Sequence, residues 1–177
     1  MSKHLLLLFL AWLVALMGMQ LFAIPRFQAC TDEPLFDVRV DYDAEAATRV
    51  MRSYGECGRG AYVGIHVWDF PMPLFFGLWL LFLNRRSLTR VRASSAPSAV
   101  PRVARPLSFL LPVLLIAFDW AENSGVLVML QGYPTRPAEL LCVFTRIMTV
   151  AKFVSYGLAI LLSVVLWARQ RSISPSS

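Results

Sequence analysis

The sequence predicts an all-α fold, a four-helix transmembrane bundle with both termini on the inner side. Three observations predict it. The 177 residues are 57% hydrophobic and average a mean hydropathy of +0.58, too apolar for a soluble domain of this size. Four apolar stretches are long enough to cross a bilayer, because about 20 residues at about 1.5 Å rise span roughly 30 Å of hydrocarbon. The charged residues are sorted between alternate connections, as the positive-inside rule requires.

The four stretches run from about Leu5 to Ile24, Tyr62 to Leu83, Leu107 to Leu130 and Leu140 to Trp167, within a single membrane domain covering residues 1–177. The first has Lys3 before a leucine-rich core, as a secretory signal would. It has no clear small-x-small cleavage site and is long, so it reads as a retained helix. Arg85, Arg86, Arg90, Arg92, Arg102 and Arg105 crowd the connection 84–106, Lys3 precedes the first helix, and Arg169 and Arg171 begin the tail 168–177. These three places share the cytoplasmic or matrix side. The connection 25–61 carries Asp32, Glu33, Asp37, Asp41, Asp43, Glu45 and Glu56 and falls outside, with the short turn 132–139. The membrane is the bacterial plasma membrane or the mitochondrial inner membrane.

Within the outer loop, DAEAATRVMRSYG reads as a short amphipathic helix, with Asp43 as N-cap and Gly55 just past its end. Ala47, Val50, Met51 and Tyr54 share one face. That face lies on the membrane surface or over the bundle mouth, or packs on the loop's own residues. Cys30 and Cys57 lie in the same loop, in a compartment where disulfides persist; two cysteines leave open whether they are bridged. Cys142, inside the fourth helix, reads as a packing residue. The inner loop RSLTRVRASSAPSAVPRVARP lacks periodicity and suits an anionic lipid surface. The +6 net charge is not gathered on a soluble face and has no interleaved aromatics, which excludes a nucleic-acid partner. Pro71 and Pro73 should kink the second helix, and Gly77, Gly125 and Gly157 should allow close helix contact.

Charges at bilayer depth cost at least about 2.5 kcal/mol each, so each needs a partner or a watery cavity. Counting from the basic inner end of each helix, Gln20, Asp69, Asp119, Glu122, Asn123 and Lys152 all lie about 21–26 Å up. They fall in one layer, in the outer half of the membrane. Asp119, Glu122 and Asn123 share a helical face by their spacing. His66 lies one turn beyond Asp69, and Arg146 nearly two turns beyond Lys152, with Thr149 between the two cations. Asp69, Asp119 and Glu122 against Arg146 and Lys152 come close to balance, with His66 as a titratable neighbour. Lys152 should pair with Glu122 or Asp119.

Such a network can serve as interhelical glue, as a ligand or catalytic pocket open to the outer side, or as a proton or ion path. No metal-spaced His set, Cys-x-x-Cys or Gly-rich phosphate loop is present, and His4 and His66 are the only histidines, so neither a metal nor a cofactor is expected. Carboxylates beside Arg and Lys are usually ion-paired, which argues against an enzyme. No catalytic residue is assigned.

The ordered set Asp37-x-Arg39-x-x-Tyr42, Gly55-Glu56-Cys57-Gly58-Arg59-Gly60-Ala61-Tyr62, Asp119-x-x-Glu122-Asn123 and Lys152 resembles an uncharacterised family of small four-helix integral membrane proteins. That family carries G-x-x-G-R-x-x-Y before the second helix and D-x-x-E-N in the third. The resemblance covers Asp37 to Lys152 and implies a four-helix bundle with the same polar cluster; it implies no activity. Arg59 and Tyr62 would sit on the outer face, just before the second helix, with Gly58 allowing a tight turn. Arg59 would cap the acidic layer or bind an anionic head group.

The expectation is therefore an accessory or scaffold subunit of a larger inner-membrane complex, of respiratory type among others, with membrane lipids and other membrane subunits as partners. The alternative is a small membrane enzyme or binding protein for a lipid or quinone-like amphiphile, built on Asp119, Glu122, Asn123 and Lys152.

Overall fold

The computed structural model describes residues 3–93 and 103–173. Among the described residues the chain is helical, without strands. Arg102 and residues 174–177 lie outside them.

The first span, Lys3–Gln28, joins α1 (Lys3–Gly18) to α2 (Ile24–Gln28) through a π-helical segment, Met19–Ala23. Pro25 follows the π-helical segment within this continuous span, where its missing N–H falls at a point at which the helical ladder is already altered. A 3-10 turn at Phe36–Val38 and helix α3 (Ala44–Ser53) follow. Asp43 caps α3 by accepting the Ala46 N–H at 2.7 Å. Gly55, at φ +64°, supplies the left-handed residue that ends α3 and lets the chain turn straight into the next helix.

The second span, Gly55–Val91, is 37 residues long, about 55 Å at helical rise and well beyond one hydrocarbon thickness. It consists of α4 (Gly55–Asp69) and α5 (Pro71–Ala93). The break falls at Phe70, where Pro71 and Pro73 remove two ladder donors. Trp120, from α6, donates its indole N–H to the Phe70 carbonyl at 2.8 Å. The remaining spans are α6 (Ala104–Gly132) and α7 (Glu139–Ile173). Four helical segments are thus long and apolar enough to cross a membrane.

Two boundaries differ from the sequence reading. GECGRGA, assigned to the loop 25–61, is the first two turns of α4. Its three glycines suggest an irregular connection, and burial overrides that preference: Gly58 lies under Tyr54 and Thr31, whose nearest atoms would be 3.1 and 3.3 Å from a Cβ there. Gly58 therefore serves close approach, and the turn belongs to Gly55. At the other end, the connection 84–106 is shorter than expected, because α5 continues through Arg85, Arg86 and Arg90.

α6 and α7 pack along their length, α5 lies against both, and α1 joins the bundle mainly through α5. Gly125 makes the α6–α7 approach possible, since a Cβ there would collide with the Thr145 hydroxyl; Gly77 does the same for α5 and α6, with Ile116 Cδ1 at 2.6 Å from such an atom. Gly157 faces open space, because its side of α7 points away from the other spans, so the expected close contact is absent.

The interior has two apolar regions. One, at the end of the bundle bearing α3, gathers Phe27, Phe36, Tyr42, Met51, Tyr54, Tyr62, Ile65, Met129 and Cys142. The other lies midway along the bundle around Leu80, Leu111, Leu115 and Ala159. On each of α6 and α7 the buried side chains between the two regions are polar.

Candidate functional site: a buried polar layer under a tied cap

Asp119, Glu122 and Asn123 follow one another at helical spacing, so they project together from α6, and all three are buried. Thr145, Thr149, Lys152 and Tyr156 do the same on α7. Lys152 Nζ donates to Glu122 Oε2 at 2.7 Å. Thr149 Oγ1 donates to Glu122 Oε1 at 3.2 Å and also lies 3.0 Å from the Thr145 carbonyl. Tyr156 donates to Asp119 Oδ2 at 3.3 Å, and Asn123 Nδ2 to Asp119 Oδ1 at 3.0 Å. Glu122 is 0% exposed and Lys152 7%. At that burial, deleting one partner leaves an uncompensated charge worth about 3–5 kcal/mol.

The third wall is α4, with Tyr62, His66 and Asp69 buried in sequence along one face. His66 Nδ1 donates to the Tyr62 carbonyl at 3.0 Å, and its Nε2 has no partner among the described residues. Asn123 Oδ1 is likewise buried without a partner. Asp37 completes the layer from above. Its carboxylate accepts the Tyr62 hydroxyl, its own N–H donates to the same oxygen at 3.3 Å, and its field reaches Asp69, Glu122 and Lys152. Four carboxylates, Asp37, Asp69, Asp119 and Glu122, thus face one lysine and one histidine.

The segment above the layer is tied down at five places. Cys30 and Cys57 form a disulfide between the end of α2 and the start of α4. Arg39 pairs with Glu33 at 2.7 Å. Arg146 Nη1 reaches Asp41 at 3.1 Å and the Tyr42 carbonyl at 3.0 Å. Glu139, the first residue of α7, accepts the Ala44 N–H at 3.1 Å and so helps cap α3 from across the bundle. Tyr54 donates to the Pro34 carbonyl at 2.7 Å. Burial pushes the Tyr42 and Tyr54 hydroxyls up, away from ionisation, while the Ala46 N–H holds the Asp43 carboxyl below its usual range.

The structure brings Asp69, Asp119, Glu122, Asn123, Lys152 and His66 together, and Tyr62 with them. It does not bring the others. Gln20 is exposed on the π-helical segment, because depth along α1 does not fix direction around it and that leucine-rich helix has no polar face to orient it. Arg146 lies six residues, about 9 Å, beyond Lys152, and its long side chain turns to Asp41. Arg59 caps no acid: it donates to the Met51 carbonyl at 3.0 Å and stacks over the Tyr133 ring at 4.1 Å. Sequence counting also missed Asp37 and Tyr156 as members of the layer. Tyr156 follows Lys152 by four residues on α7, a spacing that signals it; Asp37 comes from an irregular loop, where no periodicity applies.

Among the described residues, no group of three His, Cys, Asp or Glu side chains converges as a metal site. Surface cavities of about 660, 290, 170 and 440 Å³ are lined by residues outside the layer. Compared with protein-family models, curated proteins and solved structures, the chain has no match.

Proposed function

We propose that the chain is an integral membrane protein of a bacterial plasma membrane or mitochondrial inner membrane that serves as an accessory or scaffold subunit of a larger assembly. Both termini lie on the cytoplasmic or matrix side, and α3 with its tied loop covers the outer mouth. Of the eleven acidic residues none precedes Asp32, lies between Asp69 and Asp119, or follows Glu139, so the end without acids is the inner one.

One observation carries the structural role: the layer's only lysine is spent on Glu122 within the chain, under a cap closed by a disulfide. A pair that meets charge with charge between two helices fixes the register of α6 against α7. Purification from the native membrane, followed by identification of co-purifying proteins, tests the subunit role. Stoichiometric membrane partners are expected, and a clean monomer that is stable in the mildest detergents defeats it.

A second reading, a binding site or small enzyme for a lipid or quinone-like amphiphile at Asp119, Glu122, Asn123 and Lys152, draws support from the unpartnered His66 Nε2 and Asn123 Oδ1. Glu122→Gln separates the two. A structural role requires the variant to melt earlier in detergent with no separate activity to lose. A site requires it to fold normally and to lose thermal protection by a quinone analogue.

A further inference from the structure

The end of the bundle remote from the cap holds a cavity of about 290 Å³ between α5 and α6, lined by Arg85, Leu88, Thr89, Arg105, Ser108 and Phe109. Two guanidinium groups and two hydroxyls share it with two apolar side chains. Neither arginine has a carboxylate partner among the described residues, and no acidic residue occurs anywhere from Phe70 to Phe118. No acidic side chain of α5 or of the inner half of α6 stands near these cations.

A further feature favours an anion. Arg105 stands in the first turn of α6, whose N-cap, Val103, offers no side-chain acceptor, so the positive end of a 29-residue helix opens beside the cavity. Leu88 and Phe109 would suit the start of an acyl chain, which a free inorganic ion does not have.

We infer that this cavity binds the phosphate of an anionic phospholipid, with Arg85 and Arg105 on the phosphate oxygens, Thr89 and Ser108 beside the glycerol, and Leu88 and Phe109 against the first methylenes. Basic pockets between membrane helices take lipid head groups in this way. The inference rests on the membrane-spanning reading, and is independent of the subunit role and of the mechanism of the buried layer.

The test uses the full-length protein purified in detergent, titrated with phosphatidylglycerol, with phosphatidylcholine, or with inorganic phosphate, and followed by thermal unfolding and native mass spectrometry. Phosphatidylglycerol should raise the melting temperature and be retained on the protein, and the other two should not. At about fivefold per arginine, Arg85→Gln with Arg105→Gln should weaken that binding roughly 25-fold. Arg90→Gln with Arg171→Gln removes the same charge elsewhere on the same end and should leave binding within about fivefold of the parent. Equal loss in both double variants, equal protection by phosphatidylcholine, or equal protection by phosphate alone overturns the site. Release of the protein from membranes by alkaline carbonate defeats the membrane-spanning reading instead, so the two failures are distinguishable.

Discussion

Glu122 and Lys152 form the residue pair on which the layer depends. Glu122→Gln or Lys152→Met alone leaves a buried charge or carboxylate without its counterpart, and each should cost about 3–5 kcal/mol. The double variant should recover part of that loss, because apolar or neutral replacement of both partners avoids the desolvation cost. Unfolding of all four forms in one detergent gives the coupling; strictly additive losses would show that the 2.7 Å contact contributes nothing of its own. Asp43 makes a different prediction, outside the membrane. Its carboxyl titrates below its ordinary value because the Ala46 N–H prefers the charged form. The stabilisation is therefore complete above the ordinary carboxylate range and is lost as pH falls through the lowered value. Protection of the α3 amides from hydrogen exchange should decline only in that acid window, and in Asp43→Ala it should be low at every pH.

Among the elements, α6 and α7 are the pair most sensitive to volume. Gly125→Val would drive two methyl groups into Thr145 and should destabilise by about 1–3 kcal/mol. Gly157→Ala meets nothing and should be neutral or stabilising by about 0.5–1 kcal/mol; thermal melts of the two variants in parallel check both signs. Helices with apolar runs were legible in the sequence, and so were the Asp43 cap and the buried side of α3 at Ala47 and Met51, because hydrophobic runs and capping residues act locally. The start of α4 was not legible. Gly55, Gly58 and Gly60 argue locally for a loop, and the packing of Gly58 beneath Tyr54 and Thr31, which favours helix there, is not written in the local sequence.

For the whole molecule, the arrangement of acids and bases predicts one orientation. Single cysteines placed at Glu45 and at Arg90, in a background lacking Cys142, should react with impermeant maleimide from opposite faces of intact cells or mitoplasts, with Glu45 on the outer face. Reaction of both from one face would overturn the topology. Depth along each span could be counted from the sequence, and it placed Asp69, Asp119, Glu122 and Lys152 at one level, where the structure has them. Direction around each helix could not be counted, and for that reason Gln20 looked like a member of the layer; Arg146, counted nearly two turns beyond Lys152, turns to Asp41 instead. Asp37 enters through a loop whose path is set by Tyr62 and by the ties around it, contacts that no local pattern encodes.

The order of the chain gives the Lys152–Glu122 contact a consequence for synthesis. Asp69, Asp119 and Glu122 all leave the ribosome before Lys152, each at an insertion cost of up to about 2.5–3.5 kcal/mol, the figure for the middle of the membrane. Until the fourth span arrives, the third carries two acids with no lysine to meet them. α6 and α7 should therefore enter the bilayer as a hairpin, with the membrane insertase holding the first until the second emerges. Nascent chains that end at Gly132 and are tethered by a linker long enough to fill the ribosomal exit tunnel should remain crosslinked to the insertase, and chains that reach Ile173 before the same linker should be released; early release of the shorter chain would show that α6 settles in lipid alone.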